Sequence, residues 1–363
     1  MDRIDERPRL LITGSSGLIG QSLIDRFAEK YDICALDIER SENLPDSVKY
    51  YEADLTNQES LSHAMDRVHQ DVGGRLASVI HLAAYYDFSG EPSPKYQQLT
   101  VDGTERLLKA LKKFEVDQFI YFSSLLVMKP VNEGDSKIEE DSAIEAKWLY
   151  PQSKVEAEKV VKGTAPEIPK VVLRIAGVYD EWCHSIPVAQ QISRIYENQM
   201  ESHLYPGDKT HGQPFIHLKD VVSCVASAIE KRGELDSYEV FLVAEPEVLS
   251  YERLQSIIGN EIHGKPWSTI RIPKMVAKAG AKAKTAFAGD DEKYFIKPWM
   301  IDLADDHYPV EISRVCGKLE WSPNHRLEPS LKEMIGNLKR KPIPWYEENN
   351  LQWPGEEQVS GAR

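Results

Sequence analysis

The sequence has no long apolar run and few cysteines, and both absences narrow what the protein can be. No stretch reaches the roughly 20 apolar residues that a membrane-spanning helix needs, and the charged first residues lack the apolar core of a secretory signal. Its four cysteines form no CxxC pair and its ten histidines no HExxH pattern. We therefore expect reduced thiols, no metal site and a cytoplasmic protein.

Basic residues are also in deficit. The 363 residues include 44 Lys+Arg against 58 Asp+Glu, a formal charge of −14. Because duplex binding needs clustered positive charge, nucleic acid is not expected as a partner. We expect a small-molecule substrate instead. The length predicts one large α/β domain with an addition, or two domains that share an interface.

What the sequence does contain is an alternation of short apolar runs with amphipathic stretches. This rhythm is typical of βαβ units and predicts a doubly wound parallel sheet, an α/β fold. The predicted strands are 9–13, 32–37, 48–54, 77–82, 118–123 and 170–175, and the predicted helices between them are 18–30, 58–69, 96–114 and 150–162.

A glycine-rich turn follows the first predicted strand and opens the first helix. Gly14 allows a tight turn, Gly17 lets the backbone approach a pyrophosphate, and Gly20 lets the helix pack closely. The free amides of the helix N-terminus then hold the phosphate charge. The turn predicts a Rossmann-type dinucleotide site, whose contacts here are Gly14, Ser16, Gly17, Leu18, Ile19 and Gly20.

Two carboxylates end the next two strands. Asp37 follows the glycines by about 20 residues, where a carboxylate accepts the ribose hydroxyls and repels a 2′-phosphate, so it favours NAD. Arg40 offers a cation to that phosphate and keeps NADP as the alternative. Asp54 and Leu55 stand where an adenine ring would be bracketed. Asp54 is alternatively a helix N-cap, and both roles can hold.

A tyrosine and a lysine four residues apart form the candidate catalytic pair. Tyr150 and Lys154 share one face of a predicted helix. A nearby ammonium favours the phenolate, so we expect Lys154 to lower the pKa of Tyr150 toward neutrality. Ser123 and Ser124 close the fifth strand, at the sheet edge where ligands of open α/β sheets bind. The alternative is an exposed helix pair without chemistry.

Together these residues resemble the extended short-chain dehydrogenase/reductases, the NAD-dependent epimerase/dehydratase group. The resemblance implies that Tyr150 is the proton donor or acceptor and that Lys154 holds the nicotinamide ribose. It implies that Ser124 bonds the reacting oxygen, supported by Ser123. It also implies a homodimer, and a cofactor lining formed by Leu82, Ala83 and Ala84. Further motifs that match the family in order are 173–179, 215–220 and 319–323.

The rhythm changes after residue 176, which predicts the domain division. Residues 1–176 are interpreted as the NAD-binding Rossmann domain, with 212–245 returning to it. A smaller, partly interleaved C-terminal substrate domain takes 177–211 and 246–340. Residues 341–363 are interpreted as a C-terminal arm and tail.

Several departures from the family narrow the substrate. Nucleotide-sugar members usually carry an Asn where this chain has Gly177, and a phosphate-binding Arg where it has Gln213. An amide cannot replace a bidentate guanidinium. Thr100 stands where the family often has Asn. The predicted pocket is instead apolar, although each aromatic is alternatively domain core, and its candidates are Tyr85, Tyr86, Phe88, Met128 and Trp299.

The leading hypothesis is therefore an NAD-dependent oxidoreductase that transfers a hydride at a hydroxyl or carbonyl carbon of an apolar, non-nucleotide substrate. A nucleotide-sugar epimerase or dehydratase with tightly bound NAD is one alternative. A non-catalytic dinucleotide-sensing regulator is another. Arg271, Lys274, Lys278 and Lys282 form a basic amphipathic stretch. We favour the interpretation that this stretch is a solvated helix that covers the substrate site. Contact with a membrane surface is the alternative.

Overall fold

A computed structural model describes residues 7–131, 136–287 and 296–356, and its centre is a seven-stranded sheet. The strands are β1 (Arg9–Thr13), β2 (Asp32–Asp37), β3 (Lys49–Glu52), β4 (Ser78–His81), β5 (Phe119–Ser124), β6 (Lys170–Ile175) and β7 (Tyr238–Val243). Every neighbouring pair of strands is parallel, in the order β3-β2-β1-β4-β5-β6-β7. The predicted α/β class and doubly wound parallel sheet are confirmed.

Twelve α-helices occur in the described residues. They are α1 (Leu18–Phe27), α2 (Gln58–Val72), α3 (Asp102–Leu111), α4 (Leu149–Gly163), α5 (Ile186–Tyr196), α6 (Leu218–Glu230), α7 (Tyr251–His263), α8 (Lys274–Phe287), α9 (Pro298–Asp302), α10 (Ser313–Leu319), α11 (Leu327–Arg340) and α12 (Pro342–Glu348). A π-helix, Tyr96–Val101, runs directly into α3. Short two-residue and three-residue strands pair outside the main sheet: Arg75–Leu76 with Glu115–Val116, Gly177–Tyr179 with Phe215–His217, and Leu204–Tyr205 with Ile270–Arg271.

The central strands are buried on both faces, as their continuous apolar sequences predict. On one face, apolar residues of α1, α6 and α10 pack against the sheet. On the other face, residues of α2, α3 and α4 form a second layer. The carboxyl ends of β1, β4 and β5 consequently open at one edge, between the two helical layers.

The second half of the chain is interleaved with the first. Strand β7 pairs with β6 along its whole length, and α6 packs on α1, so residues 218–243 belong to the sheet domain. A third apolar cluster joins α5, α7, α11 and α12. Tyr308, Val315 and Leu319 pack into the sheet domain's own core, although they lie inside the segment predicted to shape the substrate half.

Part of the predicted C-terminal arm is a packed helix. Trp345 is 0 % and Tyr346 1 % exposed in α12, where they contact the third apolar cluster. The rest of the predicted tail, residues 357–363, lies outside the described residues. Burial of two aromatic side chains contributes several kcal/mol, so this helix is part of the folded unit around the third apolar cluster.

Helix α8 carries the basic stretch that the sequence singled out. The Lys274 ammonium lies 2.7 Å from Asp305 and that of Lys278 lies 2.5 Å from Asp302, so α8 is paired with acidic residues of the same chain. Over residues 7–131, 136–287 and 296–356, no helix combines the length and apolar character needed to cross a bilayer.

Candidate active site

The glycine turn has the shape that a dinucleotide requires. Gly14 has φ +69°, and a β-carbon there would come within 2.8 Å of the Ala83 nitrogen. A β-carbon on Gly20 would meet the Gly14 oxygen at 2.4 Å. At Gly17 the same atom would have only an ordinary contact of 3.5 Å, so this exposed position leaves room for a ligand at the start of α1. No side chain caps that helix end, and its amides fit a pyrophosphate.

The structure brings Asp37 to this turn. Both the amide and the hydroxyl of Ser16 donate to Asp37 Oδ2, at 2.9 and 2.7 Å, and the Ile38 amide donates to Oδ1 at 2.7 Å. The carboxylate is thus fixed at the end of β2, beside the phosphate position, where it can accept ribose hydroxyls. Arg40 is exposed nearby.

Asp54 and Leu55 lie at the end of β3, as predicted, but Asp54 is not the cap of α2. Its carboxylate accepts from the amide and hydroxyl of Thr56, at 2.8 and 2.7 Å, and so forms a tight local turn. Asn57 caps the helix instead, by accepting from the amides of Glu59 and Ser60. Leu55 is 3 % exposed.

The segment Leu82–Ala84 follows β4 over the glycine turn and is held by a buried histidine. The Thr104 hydroxyl donates to the Thr100 carbonyl at 2.7 Å, so it accepts from His81 Nε2 at 2.9 Å. This leaves His81 Nδ1 to accept from the Thr13 hydroxyl at 2.6 Å. Burial lowers the pKa of His81 to about 3. A neutral ring therefore joins β1, β4 and α3 beneath the site.

The predicted catalytic residues come together. Tyr150, in the first turn of α4, and Ser124, at the end of β5, line the same cavity. Lys154 is 3 % exposed, and its ammonium donates to the Phe122 carbonyl at 2.8 Å. The same ammonium lies 5.8 Å from the centre of the Tyr150 ring. A phenol, a hydroxyl and an ammonium thus meet where the sheet opens.

Tyr150 differs from the prediction in its acidity. Burial raises its pKa above the usual value, and the neighbouring Ser124 hydroxyl offsets only part of this increase. The rings of Tyr86 and Trp148 pack against it, at 4.8 and 5.5 Å between centres. Burial also lowers the pKa of Lys154 to about 7. The prediction of a near-neutral Tyr150 pKa is therefore wrong for the protein alone, because both groups lose hydration.

Two adjoining cavities open from this point. The first, about 320 Å³, is lined by Tyr86, Phe88, Ser124 and Tyr150, and Ile19 connects it to the glycine turn. The second, about 210 Å³, is lined largely by aromatic and aliphatic side chains: Phe88, Leu126, Trp148, Trp299, Met300 and Tyr308. Phe88, Leu126, Pro187 and Gln213 line both. The walls form a largely apolar path away from Tyr150.

Three of the five predicted pocket residues line these cavities: Tyr86, Phe88 and Trp299. Met128 does not. It is 0 % exposed, and Arg174 donates to its sulfur at 3.2 Å from below the site. Tyr85 lines neither cavity, since its ring packs against Tyr96. Successive side chains along an extended segment point to opposite sides, which explains why Tyr85 and Tyr86 differ.

Sequence reasoning missed an aromatic residue and an ion pair of the cavity wall. Trp148 contacts both Tyr150 and Trp299, and its place two residues before Tyr150 was the available signal. Lys147 and Asp306 form a 2.6 Å ion pair at the second cavity, between parts far apart in the chain. No sequence pattern indicates that pairing.

A third cavity of about 240 Å³ continues beyond the second, past Gln213 and Tyr205. Arg194 of α5 lines it, and its Nε donates to the Gln190 carbonyl at 2.8 Å. Its terminal guanidinium nitrogens form no hydrogen bond or ion pair with any residue that the structure describes. The rings of Tyr205 and Tyr251 stack on each other at this wall, with 3.6 Å between the ring centres. Within the described residues, no cluster of three metal-ligating side chains was found.

A parallel sheet, a glycine turn at its central strand and a Ser-Tyr-Lys group at its carboxyl edge define a dinucleotide-binding enzyme of the short-chain dehydrogenase type. The model of the NAD dependent epimerase/dehydratase family matches residues 10–244. The chain belongs to this NAD-dependent family.

Curated relatives include dehydrogenases. The chain is 29 % identical over 288 residues to a decarboxylating sterol-4-alpha-carboxylate 3-dehydrogenase of Schizosaccharomyces pombe, with 76 % of this chain and 80 % of the relative covered. It is 33 % identical over 125 residues to an NAD-dependent glucose-6-phosphate dehydrogenase of Haloferax volcanii, with 32 % and 42 % covered. The match spans less than half of the Haloferax protein.

Solved structures share the fold. An epimerase of Methanothermobacter thermautotrophicus superposes with a TM-score of 0.69 at 17 % identity, covering 94 % of this chain and 95 % of its own. A UDP-glucose 4-epimerase of Thermus thermophilus in complex with NAD gives 0.67 at 18 % identity, covering 92 % and 99 %. At these identities the likeness establishes the architecture alone.

Proposed function

We propose that the protein is an NAD-dependent oxidoreductase that transfers a hydride at a hydroxyl or carbonyl carbon of an apolar, non-nucleotide substrate. The observation that carries this proposal is the placement of Ser124 and Tyr150 in one cavity, at the start of a largely apolar path. Apolar pockets with a few convergent polar groups are the usual form of small-molecule sites.

Each residue of the group has a chemical task. The Ser124 hydroxyl orients the reacting oxygen of the substrate by a hydrogen bond. As a phenolate, Tyr150 takes the proton of that oxygen during oxidation of an alcohol, and as a phenol it returns the proton during reduction of a ketone. The Lys154 ammonium stabilises the phenolate in both directions. Bound NAD supplies the hydride acceptor, or the hydride itself in its reduced form.

The aromatic wall supports the apolar substrate. The ring of Trp299 in α9 packs against that of Trp148, with 5.1 Å between the ring centres. Its indole N–H donates to the Ser89 carbonyl at 3.2 Å. The wall is thus fixed by a contact between the two halves of the chain. The similarity to a sterol dehydrogenase over three quarters of the chain is consistent with such a substrate.

The test is a panel of thermal unfolding measurements with NAD, NADH, NADP and NADPH, crossed with steroid ketones and nucleotide sugars. A ligand stabilises the native state with the logarithm of its concentration over Kd. We expect shifts with NAD and NADH, and further shifts with steroid ketones. Absence of any shift with all four dinucleotides would contradict the cofactor, and a shift only with nucleotide sugars would contradict the substrate class.

Turnover separates the enzyme from a dinucleotide-sensing regulator. Tyr150→Phe keeps the ring and removes the proton. We expect it to bind NADH as the wild type does and to lose about 10²-fold or more in kcat, the usual contribution of general acid–base catalysis. If the wild type binds NADH but reduces none of the ketones that stabilise it, the regulator becomes the better hypothesis.

One observation favours a second candidate, a nucleotide-sugar epimerase or dehydratase. Arg194 brings a guanidinium to the far cavity, although Gln213 replaces the usual phosphate-binding arginine. A guanidinium can bind a phosphate bidentately. If UDP-glucose stabilises the wild type and Arg194→Gln abolishes that shift while keeping the shift with NADH, this second candidate replaces the first.

A further inference from the structure

A buried ion pair lies directly beneath the catalytic group. Glu158 of α4 and Arg174 of β6 are 7 % and 5 % exposed. The two carboxylate oxygens accept from Arg174 Nε at 3.0 Å and from Nη2 at 2.7 Å. The Arg174 Nη1 donates to the Glu140 carbonyl at 2.9 Å. The carboxylate of Glu158 is therefore held in a single orientation.

The same carboxylate contacts the strand that carries Ser124. The hydroxyl of Ser123 donates to Glu158 Oε1 at 2.5 Å. Ser123 and Ser124 are neighbours on β5, so their side chains leave the strand in opposite directions. Ser124 lines the cavity with Tyr150, while Ser123 bonds Glu158. The hydrogen bond of Ser123 thus ties the end of β5 to Glu158.

Glu158 also lies on the helix face that carries the chemistry. It follows Lys154 by four residues and Tyr150 by eight, so the three side chains are aligned along α4. Burying an ammonium is costly unless an anion lies near it. The ring of Tyr121 lies 5.1 Å from the Lys154 ammonium, but a phenol carries no charge at neutral pH. The anion that can stabilise the buried Lys154 ammonium from this helix face is the carboxylate of Glu158.

The titratable and charged groups around Lys154 come from several elements. They are Tyr150 and Glu158 on α4, Tyr121 on β5, His81 on β4, and Arg174 on β6, which faces the carboxylate of Glu158. His81 is neutral because burial lowers its pKa to about 3. Burial lowers the pKa of Lys154, and the charge of Glu158 opposes this effect.

We propose that Glu158 is a positioning residue whose buried carboxylate favours the ammonium form of Lys154, so that the site holds the dinucleotide more tightly around neutral pH. The inference rests on the proposed function, because it takes Lys154 as a contact of NAD. Loss of the carboxylate charge leaves Lys154 neutral over more of the pH range, and a neutral amine contributes less to binding an anionic cofactor.

The test is the Kd of NADH, measured by fluorescence titration from about pH 5 to about pH 9, in the wild type and in Glu158→Gln. We expect nearly equal affinity at the acidic end, where Lys154 is mostly charged in both. Above neutral pH we expect Glu158→Gln to bind roughly tenfold more weakly, which corresponds to a shift of about one pH unit. A purely structural role would weaken binding equally at every pH.

Two control variants change groups near Glu158: one lies on the same helix, and the other is hydrogen-bonded to its carboxylate. Glu156→Gln makes the same change at an exposed position of α4, and Ser123→Ala removes the hydrogen bond while keeping the carboxylate. Neither is expected to move the pH dependence. If Glu158→Gln does not fold because Arg174 is left unpaired, Glu158→Gln/Arg174→Gln removes both charges. It is expected to show a shift in the same direction but smaller, because the repelling guanidinium is removed as well.

The outcomes separate the two proposals. A wild type that binds no NADH at any pH contradicts the proposed function. A wild type that binds NADH, with a Glu158→Gln profile parallel to its own or superimposed on it, contradicts the role of Glu158 and leaves the proposed function intact.

Discussion

A β-carbon on Gly14 would lie 2.8 Å from the backbone nitrogen of Ala83, closer than such atoms approach in folded proteins. The end of β1 and the segment after β4 are therefore in contact through a position without a side chain. Because Gly14 also has φ +69°, only glycine meets both requirements without strain.

We predict that Gly14→Ala destabilises the protein by about 1 to 3 kcal/mol, the usual cost of forcing a side chain into this backbone region. Gly17→Ala is the matched control, since its β-carbon meets nothing closer than 3.5 Å. It should unfold with the wild type in urea but bind NADH more weakly, because its methyl group enters the phosphate approach. Equal stability of the two variants would contradict this interpretation of the turn.

Asp37 sets the choice of dinucleotide in our interpretation. Asp37→Asn removes the negative charge while keeping the size of the side chain. We expect the Kd of NADH to rise about tenfold, as for the loss of charge-assisted hydrogen bonds, and the discrimination against NADPH to fall. Calorimetric titration with both cofactors measures this, and Asp46→Asn, at an exposed position, serves as the control. An unchanged ratio of the two Kd values would assign the discrimination to another residue.

His81 should make stability depend on acid. Its pKa is about 3 in the folded protein and about 6.5 when unfolded, so between these values the unfolded chain binds more protons. Stability is therefore present above about pH 6.5 and is lost as the pH falls toward about 3. From about pH 7 to about pH 5 the loss is about 2 kcal/mol.

Chemical unfolding at those two pH values measures this dependence. His81→Gln should be less stable at neutral pH, because it disturbs the bonds to Thr13 and Thr104, but it should lose less stability on acidification. His63→Gln changes an exposed histidine and should keep the wild-type dependence. The same slope in all three proteins would mean that other groups cause the acid sensitivity.

Trp299 is expected to determine substrate affinity. Trp299→Ala removes an aromatic wall of the second cavity, and loss of such a contact corresponds to about tenfold or more in KM for a steroid ketone. The Kd of NADH should not change. Trp353→Ala removes an indole that packs against Tyr346, far along the chain in the third apolar cluster. It should lower stability and leave KM unchanged, and a similar KM effect in both would point to general loosening.

The sequence was informative where chemistry is local. Gly14, Asp37, Ser124, Tyr150 and Lys154 each stand at the end of a strand or in the first turns of a helix. A parallel sheet aligns those ends, so their convergence follows from the topology. The apolar strands themselves were recognisable because both faces of the sheet are covered.

The rest depends on tertiary contacts that no local pattern encodes. The acidity of Tyr150 reflects burial under Tyr86 and Trp148, which spacing from Lys154 cannot reveal. Met128 follows Ser123 and Ser124 but turns inward to Arg174. Arg194 reaches the far cavity from a helix that packs in the third apolar cluster.

The return of β7 to the sheet has a consequence for how the protein can be divided. All six residues of β7 pair with β6, so a fragment ending at Ala176 would leave that strand as a bare edge. An open, apolar edge strand recruits other chains and promotes aggregation. A fragment of this kind is therefore expected to aggregate. The sheet is complete only once the chain has been made as far as Val243.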